Sequence, residues 1–132
     1  RLQAHTEAQD SRVTVIAMIE DVAALDRLDE IMAVEGLDGV FIGRGDLTVA
    51  LGESAGSAAP VREAVARIAG AAQAAGKVIC VMTATSEDMT QLAAQGATSF
   101  IISSDQTLLK GAAEKALTEA RATLSREKTS NV

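Results

Sequence analysis

The strongest constraint on the fold is an alternation: four apolar runs of strand length, each followed by a stretch of helical periodicity, along 132 residues. "VTVIAMI" (13–19) is rich in β-branched residues and nearly all apolar, the pattern of a strand covered on both faces. Val22, Leu25, Leu28 and Met32 then recur at helical spacing, with Gly36 placed as a C-cap. "GVFIG" (39–43) is the second strand. Beyond the loop "GESAGSAAP" (52–60), Val61, Val65, Ile68 and Ala72 mark one face of the next helix. "KVICVM" (77–82) is the third strand, and "SEDMTQLAAQG" (86–96) a short helix with Ser86 as N-cap and Gly96 as C-cap. "SFIIS" (99–103) is the fourth strand. A long Ala-rich amphipathic helix follows from Asp105 to about Leu124, so that residues 1–124 form one domain and 125–132 a frayed polar tail.

Four β-then-α units in succession imply an α/β protein with a parallel sheet and right-handed crossovers. Two architectures satisfy that pattern: a small doubly wound sheet, or part of a (β/α)₈ barrel, which takes about 250 residues when complete. Either way, chemistry belongs at the carboxyl ends of the strands. Composition narrows the function. With two Phe and no Trp or Tyr, there is no aromatic platform on which bases could stack. Twelve basic against 18 acidic residues give a net charge of −6, which argues against nucleic acid or an anionic membrane as partner. No apolar run approaches the ~20 residues of a membrane span, and no signal-peptide pattern opens the sequence. The single cysteine, Cys80, lies within an apolar run and reads as an inert buried thiol, so a cytoplasmic protein is expected.

The strand-end rule selects two carboxylates. Glu20 closes "VIAMIE" and Asp46 follows "GVFIG", 26 residues apart, about one strand, helix and strand. On neighbouring strands they would face each other across the rim, and two hard oxygen ligands suit Mg²⁺ or Mn²⁺, which keep positions for water and substrate. The residues alone leave a plainer alternative open: Asp46 as a helix cap and Glu20 as a solvated strand end. Gly43 and Gly45 favour close approach of backbone N–H groups to an anion at a helix start. The tripeptide Arg44-Gly45-Asp46 is therefore expected as a strand-to-helix turn rather than as the exposed loop of an adhesion ligand.

"MIEDVAALDRLDEIMAVEGLDGVFIGRGDLTVALG", with "GATSFIISSDQTLL" further on, resembles the metal-dependent pyruvate aldolases of the HpcH/HpaI aldolase and citrate lyase family, from about Val13 to Leu117. The acid-ending strand, the "LDEI" helix, the "GLDGVFIG" strand and the "DL" turn occur in the family's order. The resemblance implies a (β/α)₈ TIM barrel of the phosphoenolpyruvate/pyruvate type, of which this chain matches the last four β/α units. It implies Glu20 and Asp46 as divalent-metal ligands (Mg²⁺ or Mn²⁺, with Co²⁺ as a further candidate) and the backbone at Gly45 and Asp46 as receiver of a substrate carboxylate. The implied reaction is reversible cleavage of a 4-hydroxy-2-oxo acid to pyruvate, or a related 2-oxo acid, and an aldehyde. The family's catalytic His and Arg come from the amino-terminal half of the barrel, so no catalytic residue is assigned here.

Several residues depart from the pattern. His5, the only histidine, precedes the first strand and reads as a surface residue; Arg44 reads as a loop residue near the rim rather than a replacement for the family's Arg. The usual "IET" is here "IED". Asp105 matches a family position, but helix capping explains it equally, and Ser103 and Ser104 are similarly ambiguous. Alternative readings are a citryl- or malyl-CoA lyase-like enzyme, a phosphoenolpyruvate enzyme with an "RGDL" turn, and an incomplete fragment that binds metal. Half a closed barrel exposes strand edges and apolar surface, so pairing with the amino-terminal half or with a second copy is expected.

Overall fold

The computed structural model describes residues 2–130. They form two compact units, one ending at Ile101 and the other beginning at Ile102. In the first unit the elements run α1 (Leu2–Asp10), β1 (Ile16–Ile19), α2 (Val22–Leu25), α3 (Leu28–Met32), β2 (Gly39–Ile42), α4 (Arg44–Ala50), α5 (Ala59–Ala74), β3 (Val78–Met82), α6 (Ser86–Ala94) and β4 (Ser99–Ile101). The second unit is the helix α7 (Asp105–Ser130).

All four strands are parallel and stand in the order β1-β2-β3-β4. A doubly wound sheet reverses its strand order at a switch point; this sheet has no reversal, and that alternative is excluded. Right-handed crossovers between successive neighbours place every connecting helix on one face. The register shows it residue by residue. Ile19, Ile42 and Val81 are aligned, as are Val40 and Ile79, and all five are buried with Leu28, Leu47, Val65, Ile68 and Leu92 of the helices. The alternate positions face the other way. There Ile16, Met18, Val78, Met82 and Ile101 are between 42% and 54% exposed.

This corrects the expectation of a first strand covered on both faces: β1 is covered on one. It is also shorter than 13–19. Val13 and Val15 stay outside it, because the Val15 N–H goes to the Asp38 carboxylate (2.7 Å) rather than to a neighbouring strand. The helix expected after it is broken in two, since the Leu25 carbonyl that would continue α2 instead accepts a hydrogen bond from Arg67 of α5 (2.9 Å). The N-cap of α6 is Thr85, not Ser86: its hydroxyl accepts from the Asp88 N–H at 3.2 Å. Gly96 ends that helix as expected, with a positive φ of 91° that other residues rarely adopt. β4 stops at Ile101, two residues short of the expected end.

In the second unit, Ser104 starts α7, its hydroxyl accepting from the Thr107 N–H (3.2 Å), and Asp105 takes only its neighbour Gln106 (2.8 Å). The helix continues to Ser130, beyond the expected end near Leu124, because "SREKTS" holds no Gly or Pro to stop it. Among the described residues, no helix is long and apolar enough to cross a membrane.

The two sheet faces should respond differently to truncation. Ile68→Ala, at a fully buried position, is expected to cost about 2–5 kcal/mol in urea unfolding. Met18→Ser, on the open face, should change stability by no more than about 0.5 kcal/mol in the isolated chain.

Candidate metal and substrate site

Strand register sets the end of β1, followed by Glu20, beside the end of β2, after which Asp46 follows in the next turn. Ile19 pairs with Ile42, and the Gly43 N–H donates to the Ile19 carbonyl (2.9 Å), so Glu20 lies beside Gly43. The contact is close. A Cβ added at Gly43 would lie 2.7 Å from the Glu20 Cβ and 3.2 Å from its Oε2, so glycine leaves the space that the Glu20 side chain crosses. Gly43 is also the N-cap of α4, which begins at Arg44; Asp46 sits in its first turn. The tripeptide Arg44-Gly45-Asp46 is thus a strand-to-helix turn, as expected.

Of the two plainer readings, the cap is not met, whereas Glu20 does stand, partly exposed, directly after the end of its strand. Asp46 is not the cap of α4, whose N-cap Gly43 has no side chain to offer. Asp21 shows the contrast, capping α2 through a 2.8 Å bond from the Ala24 N–H. Among the described residues, neither Glu20 nor Asp46 has a hydrogen-bond or ion-pair partner, and Glu20 is half-buried. The donor chemistry, two hard oxygens at one rim, fits Mg²⁺ or Mn²⁺. Among the described residues no cluster of three His, Cys, Asp or Glu is present, so such an ion would complete its coordination with water, substrate or residues from elsewhere.

An open cleft of about 650 Å³ lies at the same end of the sheet, lined by Met18, Phe41, Gly43, Gly45, Asp46 and Met82, among others. Glu20 does not line the cleft itself but lies against Gly43, which does. His5 is exposed on α1 and does not line it. Arg44 does, but it is no free loop residue. Its guanidinium grips both oxygens of Asp88 (2.5 and 2.9 Å) and the Met82 carbonyl (2.8 Å). Asp88 lies in the first turn of α6, 44 residues away, and nothing in the sequence signals this pairing. The hydrogen bond from Arg44 holds the Asp88 carboxyl below the ordinary aspartate value, against partial burial and with help from the Thr83 hydroxyl.

The HpcH/HpaI aldolase/citrate lyase profile matches residues 2–112 of this sequence. The chain belongs to that family. The sequence is 33% identical over 107 residues to a 5-keto-4-deoxy-D-glucarate aldolase of Shigella dysenteriae serotype 1, covering 80% of this chain and 42% of that one. Among solved structures of similar fold is the citrate synthase SbnG, with a TM-score of 0.82 and 31% identity, covering 92% of this chain and 50% of that one. Another is a citrate lyase beta subunit from M. tuberculosis, complexed with oxaloacetate and magnesium (TM-score 0.55, 25% identity, 67% of this chain and 46% of that one). The chain thus spans about half the length, or less, of the HpcH/HpaI relatives it matches.

Two outcomes test the geometry. Gly43→Ala forces the Glu20 Cβ to move and is expected to cost about 1–3 kcal/mol in urea unfolding. The pH dependence follows from Asp88. A depressed carboxyl stabilises the fold above the unfolded aspartate value of ~4, and that contribution is lost as pH falls through the lower folded value. Thermal unfolding of Asp88→Asn should therefore fall less steeply with acid than wild type below about pH 4.

Proposed function

We propose that this chain forms the last four β/α units of a (β/α)₈ barrel and carries the metal-binding half of an aldolase site. The reaction is reversible cleavage of a 4-hydroxy-2-oxo acid to pyruvate, or a related 2-oxo acid, and an aldehyde. The observation that carries the reading is the pair of unpartnered carboxylates on neighbouring strand-to-helix connections: Glu20 just after β1, and Asp46 after β2, where it lines an open cleft. Glu20 and Asp46 would hold Mg²⁺ or Mn²⁺, which supplies Lewis-acid stabilisation of the charge developing on the 2-oxo oxygen. The backbone N–H groups of Gly45 and Asp46 would orient the substrate carboxylate at the start of α4. Met18, Phe41 and Met82 give the cleft an apolar wall that limits water around the reacting carbons.

Among the described residues that line this cleft, none is placed as a general base, so we assign proton transfer to residues from elsewhere. The sheet suggests where. Ile16, Met18, Val78, Met82 and Ile101 form an exposed apolar face, and β1 and β4 each have one unpaired edge. In a barrel these become inner wall and seams, covered by the amino-terminal β/α units of the family fold. The likeness to SbnG supports a second reading, a citrate-forming or citrate-cleaving reaction at the same carboxylate pair. The free, buried Cys80 accords with action in the reducing cytoplasm.

The first test is metal binding: Glu20→Gln and Asp46→Asn should each weaken Mn²⁺ affinity of the chain by about tenfold or more, and unchanged titrations would remove the site assignment. The second is turnover. General-base catalysis contributes about 10²- to 10⁴-fold, so the chain alone should release little pyruvate from a 4-hydroxy-2-oxo acid, and adding the amino-terminal β/α units of a related aldolase should raise the rate. Full activity of the isolated chain, abolished by His5→Ala, would refute the half-site. A third test is assembly. Sedimentation at micromolar concentration should show the chain self-associated alone and in a one-to-one complex with those units; a compact monomer in both experiments contradicts the proposal.

A further inference from the structure

We infer that Asp88 is a positioning residue for the metal-facing carboxylate of Asp46, acting through Arg44, a role that rests on the reading of Glu20 and Asp46 as ligands. The turn from Gly43 to Asp46 has little else to hold it. Gly43 and Gly45 have no side chains, a Cβ at Gly45 would meet nothing within 4 Å, and Asp46 is exposed. α4 spans only seven residues, too short to be stable by itself. Burial of Leu47 and Thr48 anchors its inner side. On the rim side, Arg44 is the one residue of the turn whose side chain makes polar contacts.

Those contacts reach into the next β/α unit. Two guanidinium nitrogens engage both carboxylate oxygens of Asp88, and one of them also donates to the Met82 carbonyl at the end of β3. Asp88 is itself fixed, since its N–H is held by the Thr85 hydroxyl in the first turn of α6. The pair is only 26% and 28% exposed, so it is better shielded than a surface ion pair. Two-pronged geometry gives it direction as well as strength. The Arg44 carbonyl in turn accepts from the buried Thr48 hydroxyl (2.6 Å), tying the tethered residue to the body of α4. Three of the five N–H donors of the guanidinium are taken up in this way. It works as a strap across two strand ends, and lysine, a compact charge without the planar fork, cannot reproduce the two-pronged grip on Asp88.

The test uses the 132-residue chain, free of metal and titrated with Mn²⁺. Asp88→Asn and Arg44→Lys should each weaken Mn²⁺ affinity by about tenfold, while Asp88→Glu, which keeps the charge and both oxygens, should recover most of it. In the metal-free chain, both loss variants should speed amide exchange at Leu47, whose N–H closes the first turn of α4 on the Gly43 carbonyl, and leave exchange at the buried Val81 unchanged. If Asp46→Asn abolishes binding but the Asp88 and Arg44 variants retain wild-type affinity, or lose affinity with no change at Leu47, the strap does not position Asp46. If Asp46→Asn itself leaves binding intact, the metal reading fails and this inference with it.

Discussion

Right-handed crossovers between successive parallel strands are the constraint from which the rest of this structure follows. Each β/α unit adds its strand beside the previous one and its helix on the same side, so one face of the sheet is buried under helices and the other is left open. In the Ala- and Val-rich core, small residues such as Ala64, Ala69 and Ala72 let α5 approach β2 and β3 closely. The open face is apolar yet uncovered. Contiguous exposed apolar surface of this kind marks an interaction face.

The same alternation aims the site. Because Ile19 and Ile42 are drawn under the helices, the residues after them, Glu20 and Gly43, must point to the open side. Burial of two isoleucines thus directs a carboxylate toward the rim. Gly43 completes the arrangement, since any larger side chain would collide with Glu20. The turn that carries Asp46 is then tied sideways to the third β/α unit by Arg44 and Asp88. Core packing, register and one shielded ion pair act on the same few atoms.

Much of this could be read along the chain. The four β/α repeats, the buried Cys80, the exposed His5 and the Gly96 cap all follow from local pattern, because periodicity and turn chemistry act over a few residues. The candidate ligands were legible for the same reason: an acidic residue closing an apolar strand is a local signal. The misread details share a cause. The break between α2 and α3 depends on Arg67 of a distant helix, and the start of β1 on the carboxylate of Asp38. Thr85 rather than Ser86 caps α6 because backbone direction, not residue preference, selects between adjacent hydroxyls.

The sequence by itself determined the element types, their order and the placing of Glu20 and Asp46 in strand-to-helix connections, since these rest on period, propensity and capping within short windows. Tertiary structure alone decided that the sheet is wound in one direction, that only one of its faces is covered, and that Arg44 is bound to Asp88. Strand order and ion pairing depend on which distant segments come to lie side by side, and hydrophobic alternation is the same whichever neighbour a strand acquires.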